Sequence, residues 1–394
     1  MSQQKTPGRS EIEEVARRLW VYCLKNDFSG YDPYDALNSP LFSHGPWARS
    51  RLVRLAATQG LKRLPINIRP LLLIPKTQNP KALAIFLKAA LRLTSAGIIE
   101  NMEIIKYLIK RIAELRTAEA NYYGWGYNFP WQTRTIFVPR GAPNLVCTIF
   151  VADALLDAYD IIGKAECLKM ARTAVDYIFN ELFWSEKGSA GFSYPQPGIK
   201  EHTYNANLLG AALLSRISKV TREKNYLEAA LTVAGYAASC QNKDGSWYYG
   251  ERAESRWIDN FHTGYNLIAL RDLKKYAETD EFDQTIKKGF SFYIKNFFRQ
   301  DGAPKYYHDR VYPIDSHCLA QSIITLEAFR ELNKDARQLS LSVLKWGLEN
   351  MWSGKGYFYY QRNRFYTNLI PYMRWTEAWM LLALSELLAH SNSL

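Results

Sequence analysis

The histidines of this chain gather in a few connections instead of being spread along it. Four of the six, His202, His262, His308 and His317, follow glycine-containing turns that are rich in Tyr and Trp. Histidine changes charge near neutral pH, and it is the side chain that most often moves a proton in catalysis. Carboxylates, tyrosines and arginines surround these four positions. The set suits proton transfer on a polar ligand rich in hydroxyl groups.

The residue types in these connections divide into two groups of candidates. The proton-transfer candidates are Tyr307, His308, His317, His262 and Glu377. Aromatic faces stack on sugar rings, amides and carboxylates hold hydroxyls, and arginines bind carboxylates through two hydrogen bonds. The substrate-binding candidates are Trp125, Tyr127, Asn128, His202, Tyr204, Asn205, Trp247, Glu251, Arg256, Asp259, Tyr306, Arg310, Asp315 and Arg374. Among them we expect Arg256 or Arg310 to hold a carboxylate and Trp247 to stack on the sugar.

Several activities are compatible with these residues. Epimerisation at C5 of a uronate needs two proton-transfer groups on opposite faces of the ring, whereas a lyase needs a base and an acid for the leaving group. A glycoside hydrolase usually needs two carboxylates. The abundance of Tyr, His and Arg favours proton transfer at a uronate by an epimerase or lyase. A hydrolase and a non-catalytic glycan-binding protein stay open as alternatives.

Metal and nucleotide chemistry have little support in the sequence. The chain has no H-E-x-x-H motif, no phosphate-binding glycine loop and no G-x-S-x-G motif. The pairs His308–Asp309 and Asp315–His317 hold suitable ligand types but lack a metal-site spacing. We therefore expect no cofactor and no metal.

A repeat positions the candidate residues. The stretches at 186–217, 242–273, 300–329 and 353–384 share a glycine turn, a short aromatic piece, a polar insert and then an apolar helix, and a looser copy covers 122–159. Self-similarity at a fixed period is the signature of repeat architectures. The aromatic markers are Trp125, Phe192, Trp247, Tyr306 and Phe358.

Between the copies lie helices with apolar residues at helical spacing on one face and charged residues on the other, which predicts half-exposed outer helices. The helices after the inserts are nearly all apolar, which predicts inner helices. Outer and inner helices pair six times: 11–25 with 80–95, 101–117 with 143–161, 165–183 with 204–217, 222–240 with 261–277, 281–299 with 315–331, and 335–351 with 374–390. The fold class is therefore all-α, an (α/α)6 toroid of six inner and six outer helices with short β-like inserts at one mouth.

The net charge of +12 is concentrated near the N-terminus. No acidic residue lies between Asp35 and Glu100, whereas ten Lys or Arg residues do. We divide the chain into 1–79, an N-terminal helix and a basic segment packed on the toroid, and 80–394, the toroid itself. Interleaved basic and apolar residues over 49–92 suit an anionic membrane surface, and a solvated basic face is the alternative. No nucleic-acid-binding motif is present, so nucleic acid is not an expected partner.

The compartment is predicted from what the chain lacks. Its five cysteines are dispersed without a C-x-x-C pair, which fits a reducing environment. The N-terminus has no signal-peptide pattern, and no apolar run is long enough to span a membrane. We expect a cytoplasmic protein, peripheral at the inner face of the membrane if the basic segment binds lipid.

Two resemblances to known families follow from these motifs. The stretch QNKDGSW is similar to the Q-x-x-D-G-x-W repeat of squalene and terpene cyclases, which are α/α toroids, although their D-x-D-D acid motif is absent. A terpenoid cyclase-like toroid, which needs a deep apolar cavity, is therefore a further alternative.

The whole-chain pattern resembles the carbohydrate-active (α/α)6 toroids: unsaturated glucuronyl hydrolases, polysaccharide lyases and the C-terminal domain of glucuronyl C5-epimerases. HTGYNLIALRDLKKY resembles an epimerase helix of the type N-G-F-x-Y-S-L-x-G-L-Y-D-L, and KYYHDRVYPIDSHCLAQS resembles an epimerase stretch containing Y-D-x-R-H and D-Y-H-x-x-H-x-x-Q. The resemblance implies site roles for Tyr306 or Tyr307, Arg310, Asp315, His317 and Gln321. It also extends to prenyltransferase-like toroids encoded beside polysaccharide-assembly enzymes, and implies a poly- or oligosaccharide substrate, free or lipid-linked, in surface-polysaccharide biosynthesis.

Overall fold

The computed structural model describes residues 6–43, 46–117, 121–133 and 136–389. Fourteen α-helices follow one another in this part of the chain. They are α1 (Arg9–Lys25), α2 (Pro40–Ser43), α3 (Arg51–Arg63), α4 (Pro80–Ser95), α5 (Met102–Glu114), α6 (Leu145–Ile162), α7 (Ala165–Tyr177), α8 (Tyr204–Thr221), α9 (Lys224–Ser239), α10 (Asn260–Ala277), α11 (Asp283–Phe297), α12 (Ser316–Ala328), α13 (Ala336–Asn350) and α14 (Ala378–Ala389). One of the two π-helical turns in the described chain, Met373–Glu377, leads into α14.

Six helices form a closed inner ring. Helices α4, α6, α8, α10, α12 and α14 each contact the next, and α14 contacts α4. Their residues are apolar on almost every side because each helix packs against two ring neighbours and one outer helix; in α14 nearly every residue is buried. The predicted toroid of inner and outer helices is confirmed.

The outer helices bury one face only. In α5 the buried residues Ile105, Leu108, Ile109 and Ile112 recur at helical spacing, and Lys106 and Lys110 face outward. Each of α5, α7, α9, α11 and α13 packs on the inner helix that precedes it. The first outer helix, α1, packs on α14 and so closes the outer ring. All six predicted outer–inner pairings therefore give the order of the helices along the chain, whereas each outer helix packs mainly on the inner helix before it in the ring.

The connections differ at the two ends of the ring. The turns from an inner helix to the next outer helix are short. Several inner helices end at a residue in the left-handed conformation, such as Gly163 with φ of 68°. Outer-to-inner connections carry the inserts and reach inner-helix N-termini that are capped by Asn79, Asn144, Asp259 and Asp315. The inserts therefore line one mouth, as predicted, and form the small antiparallel strands β1 (Trp131–Gln132), β2 (Phe137–Val138), β3 (Phe183–Glu186), β4 (Ser189–Phe192), β5 (Ile314–Asp315), β6 (Gln361–Arg362) and β7 (Thr367–Asn368).

The repeated glycine turn locks an outer helix to its neighbours. Gly245 adopts φ of 94°, and a Cβ there would lie 2.3 Å from the carbonyl oxygen of Lys288. The Gln241 side chain donates to the carbonyls of Gly245 and Thr285. The buried Trp247 indole donates to the carbonyl of Ala237. The QNKDGSW stretch thus connects α9 to α11 and holds the two helices together.

The segment before α4 folds over the mouth. Arg69 is fully buried and donates to the Asp35 carboxylate at 2.7 Å. At one end of α3 the Arg54 side chain donates to Gln132 beside the β1–β2 hairpin, and just past its other end the carbonyl of Leu64 accepts from Asn368 in the β6–β7 hairpin. Helix α3 therefore forms one side of the mouth. In the described part of the chain, no helix is long and apolar enough to cross a membrane.

Candidate functional site

A cavity of about 340 Å³ opens at the mouth, inside the N-terminal end of the inner ring. Most of the side chains that line it are aromatic, including Tyr127, Trp131, Tyr194, Tyr249 and Trp257. Tyrosine and tryptophan combine an apolar face with a polar edge, which suits a ligand that has both apolar ring faces and hydroxyl groups.

An Asp–His pair lies in this wall. The His262 Nδ1–H donates to Asp259 Oδ2 at 2.7 Å. Asp259 also caps α10 by accepting the backbone N–H of His262, and it accepts the indole N–H of Trp257. These bonds fix the tautomer of His262, so that Nε2 carries a lone pair, and Nε2 has no partner among the described residues. His262 is arranged to take a proton from a ligand in the cavity.

A second histidine lies deeper. His317 is buried between Phe261 and Trp379, and its Nε2 shares a 2.7 Å hydrogen bond with the Tyr265 hydroxyl. Burial, with Lys81 and Arg374 nearby, holds the pKa of His317 well below its ordinary value. Its Nδ1 is buried without a partner in the described structure. Neutral His317 is therefore a polar group with one unused hydrogen-bonding atom beneath the cavity.

Tyr307 borders the cavity near Asp259. Burial, together with the charge of Asp259, raises the pKa of Tyr307 to about 12. Tyr307 is therefore protonated at neutral pH, and it can donate a proton but does not begin as a base.

Asp315 lies behind two lining residues, His317 and Trp375, and does not line the cavity itself. It is fully buried and accepts hydrogen bonds from the backbone N–H of His317 and the indole N–H of Trp375 through Oδ1. Its Oδ2 accepts from Gln361. Burial raises the pKa of Asp315 to about 6. Its contacts make it a positioning group for His317 and Trp375.

Three cationic side chains line the cavity. Arg374 binds Asp32 through two hydrogen bonds of 2.6 and 2.8 Å, and both residues are buried. Lys62 from α3 donates to the Tyr34 hydroxyl at 2.6 Å. Lys81, in the first turn of α4, is buried with its amine 4.0 Å from the ring centre of Phe150. The only carboxylate in the described lining is Asp259. Cations therefore outnumber carboxylates in the described lining, and Asp32 behind the lining balances the charge of Arg374.

The structure brings eight of the predicted site residues to the cavity. They are Tyr127, Asn205, Asp259, His262, Tyr306, Tyr307, His317 and Arg374. The prediction that His262 and His317 lie at the same end of the ring is confirmed, because Phe261 contacts both of their rings. Eleven predicted residues do not line the cavity: Trp125, Asn128, His202, Tyr204, Trp247, Glu251, Arg256, His308, Arg310, Asp315 and Glu377.

The placement of Trp125 and Trp247 corrects the predictions that Trp125 binds the substrate and that Trp247 stacks on the sugar. Both are buried in the core, and each indole donates to a carbonyl in the preceding outer helix, that of Ile112 or of Ala237. Phe192 and Phe358 are also fully buried, so the aromatic marker is a core residue in four of the five copies; Tyr306, the marker of the other copy, lines the cavity.

Glu377 and His202 also lie away from the ligand space. Glu377 is fully buried and accepts the backbone N–H of Phe358, and burial raises its pKa well above the ordinary value. His202 stacks on Tyr236 and bonds Ser189 and Asn207. Both positions correct the predicted catalytic or binding contact.

The other predicted residues that do not line the cavity lie on or behind its rim. Asn128 bonds Thr77 and Asn79, and Tyr204 is buried in the ring. Glu251 and Arg256 are exposed, His308 bonds the carbonyl of Ile258, and Arg310 pairs with Asp309 outside Tyr307. Arg256 and Arg310 therefore do not reach a carboxylate within the cavity.

Several lining residues were missed by the sequence prediction: Tyr34, Lys62, Lys81, Phe129, Val146, Trp257, Phe261 and Trp375. Lys81 had a visible signal, since it is a lone cation in the apolar run PKALAIF directly after a helix cap. Tyr34 and Lys62 had none, because the N-terminal segment reaches the mouth only through long-range packing. Within the described chain, no group of three or more His, Cys, Asp or Glu side chains is placed to hold a metal ion.

No protein-family model matches this chain, and no curated protein matches it in sequence. Solved structures do match. A protein from Listeria innocua superposes with a TM-score of 0.64 and 14% identity, over 95% of this chain and 96% of that one. Cellobiose 2-epimerase from Bacillus thermoamylovorans gives 0.63 and 12%, over 96% and 100%. Unsaturated glucuronyl hydrolase from Streptococcus agalactiae gives 0.62 and 11%, over 97% and 93%. These likenesses extend over 95 to 97% of the chain and show the fold of the (α/α)6 toroids.

Proposed function

We propose that this protein is a carbohydrate-active enzyme that transfers a proton at a carbon of an acidic sugar, as an epimerase or lyase acting on a uronate. The observation that carries the proposal is the Asp259–His262 pair: the Nε2 atom of His262, which has no partner among the described residues, lies in the wall of the aromatic cavity. A carboxylate that holds an imidazole in one tautomer is a recurring device for a general base. The named structural neighbours include a sugar epimerase and a glucuronyl hydrolase, which supports a sugar as the ligand.

The charges of the lining support an acidic substrate. Arg374, Lys62 and Lys81 face a cavity whose only described carboxylate is Asp259, and Asp259 is covered by its hydrogen bonds to His262 and Trp257. A uronate carboxylate would be attracted by this field, and its negative charge develops further when the adjacent C5 proton is removed. A role in surface-polysaccharide biosynthesis stays a prediction from the sequence resemblance.

Hydrolysis and terpenoid cyclisation receive less support from the geometry. A hydrolase of the usual kind needs two carboxylates that face the scissile bond, and the described lining presents one that is already engaged. A cyclase-like reaction fits the aromatic walls, but tyrosine hydroxyls and cations interrupt the apolar surface.

The deciding experiment is incubation with uronate-containing oligosaccharides in deuterated water. Deuterium at C5 without cleavage identifies an epimerase, and an unsaturated product identifies a lyase. If wild-type protein gives neither product with a panel of uronate linkages, the proposal fails. New reducing ends with neither deuterium at C5 nor an unsaturated product would instead identify a hydrolase.

We further propose that an anionic membrane surface binds the lobe beside the mouth, here called the basic lobe and defined as residues 49–76 with the hairpin 361–369. The most exposed large apolar side chains of the described chain all lie in it: Phe365, Leu71, Leu52, Ile66 and Leu73, at 87, 81, 70, 68 and 67% exposure. The lobe contains no acidic residue. Exposed apolar side chains combined with basic charge are the features that bind proteins to anionic lipid surfaces, and a lipid-linked glycan would then be held close to the mouth.

A further inference from the structure

Lys81 is a buried cation without a counter-ion among the residues that the structure describes. Its side chain is 4% exposed and lines the cavity, and no hydrogen bond or ion pair of its amine exists in the described structure. The other two cations of the lining differ: Arg374 is paired with Asp32, and Lys62 donates to Tyr34.

The surroundings of Lys81 are aromatic and otherwise cationic or neutral. Its amine lies 4.0, 5.5 and 5.8 Å from the ring centres of Phe150, Trp379 and Tyr265, which belong to α6, α14 and α10. The titratable or charged groups that face it are Arg374 before α14, His317 on α12, Cys147 on α6, Tyr265 on α10 and Asp32 of the N-terminal segment. Asp32 is the only carboxylate among them, and Arg374 already occupies both of its oxygens.

This environment disfavours the ammonium form of Lys81 in the free protein. Aromatic faces offset part of the cost of removing the charge from water, but the N-terminal end of α4 adds positive potential. Burial first, and then Arg374, lower the pKa of Lys81 to about 7. The amine is therefore poised between its two forms near neutral pH.

We propose that Lys81 is the receptor for the carboxylate of the sugar acid, which enters the cavity as the missing counter-ion. The inference deepens the proposed function, on which it rests, by naming the side chain that selects an acidic over a neutral sugar. A bound carboxylate stabilises the ammonium and raises the pKa of Lys81 in the complex. Binding is then accompanied by proton uptake wherever the free amine is neutral.

The sign of the pH dependence follows from this linkage. Below a pH of about 7 the free protein already carries the ammonium, so affinity for the acid is independent of this proton. Above it, affinity falls by about tenfold for each pH unit until the pKa of the complex is reached. A neutral sugar of the same configuration does not show this fall.

The test is calorimetric binding to the full chain of glucuronate, galacturonate and mannuronate against glucose, galactose and mannose, at pH 6 to 9 and in buffers of different ionisation enthalpy. We expect wild type to prefer at least one acid and to take up a proton when binding it near pH 8. Lys81→Met should lose about tenfold to a hundredfold in affinity for that acid, the value of a charged hydrogen bond, and keep its affinity for the neutral sugar. Lys81→Arg keeps a permanent charge, so it should retain the preference and lose the proton uptake.

The matched control is Lys305→Met. Lys305 is also a partly buried lysine with a lowered pKa, but it lies outside the cavity and donates to the carbonyl of His308; its loss should leave the preference intact. The inference is overturned if wild type binds no acid more tightly than its neutral partner, or if Lys81→Met keeps the preference. Deuterium exchange at C5 is measured separately. An enzyme that exchanges deuterium at C5, but whose preference for the acid does not depend on Lys81, refutes this inference and leaves the proposed function standing.

Discussion

His262 Nδ1 and Asp259 Oδ2 lie 2.7 Å apart, and the same carboxylate caps the helix that carries His262. One side chain thus starts the helix and orients the imidazole. The helix cap uses Oδ1 and the bond to the imidazole uses Oδ2, so a substitution can change one of the two hydrogen bonds and keep the other.

Replacing His262 by Ala should lower turnover by about a hundredfold or more, since the general base is lost. Melting temperature should change little, because His262 is partly exposed at the cavity wall. Asp259→Asn retains a side-chain oxygen for the cap and should fold, but it no longer fixes the tautomer and should also lose turnover. Both variants are assayed by C5 exchange and thermal melting. A His262→Ala protein with normal specific activity would remove His262 from the mechanism.

Tyr307→Phe tests the proton donor at the rim. We expect a rate loss of about tenfold to a hundredfold without a change in melting temperature, because Tyr307 keeps its ring contact with Tyr306 but loses the hydroxyl. Tyr248→Phe is the control, as Tyr248 is exposed and lies outside the cavity. If the two variants are equally active, Tyr307 only shapes the rim.

Trp247→Phe should reduce stability and leave chemistry untouched. The loss of the indole bond to Ala237 costs about 1 kcal/mol, and the smaller ring leaves a void that adds to it. Urea unfolding should show the loss, while activity per folded molecule stays normal. A rate defect at unchanged stability would restore Trp247 as a ligand-stacking residue.

The raised pKa of Asp315 predicts that the difference in stability between wild type and Asp315→Asn depends on pH. Its pKa rises from 3.8 in the unfolded chain to about 6 in the folded protein, so the folded state binds the extra proton between these values. Wild-type stability from this group therefore decreases as pH rises from about 4 to about 6 and stays reduced above it. Asp315→Asn lacks the titration, so its stability relative to wild type should be higher at pH 7 than at pH 4. Equal differences at both pH values, measured by urea unfolding, would show that Asp315 is not buried in its charged form.

The basic lobe predicts binding to anionic vesicles. Wild type should sediment with them at low salt and be released at high salt, because salt screens the attraction. Replacing Arg49, Arg51 and Arg63, or replacing Leu71 and Phe365 by Ser, should weaken sedimentation and preserve activity on short soluble substrates. Arg54 is left unchanged, since it holds Gln132. Wild type that ignores anionic vesicles at low salt would refute the membrane proposal.

The sequence by itself determined the toroid. Helical periodicity separated inner from outer helices, because an inner helix must be apolar on nearly all sides and an outer helix on one. The recurring glycine turns then placed every insert at one end of the ring, as the N-caps Asn144, Asp259 and Asp315 confirm. These features are local, so they can be read from neighbouring residues.

Only the tertiary structure decided which insert residues face the ligand space. Trp247 and Tyr249 are two residues apart, yet Trp247 is in the core and Tyr249 lines the cavity. Arg374 pairs with Asp32, which is far from it in the sequence, and Lys62 lies at the mouth because the N-terminal segment folds over it. Such outcomes depend on the direction of each side chain and on long-range packing, which the spacing of residues along the chain does not fix.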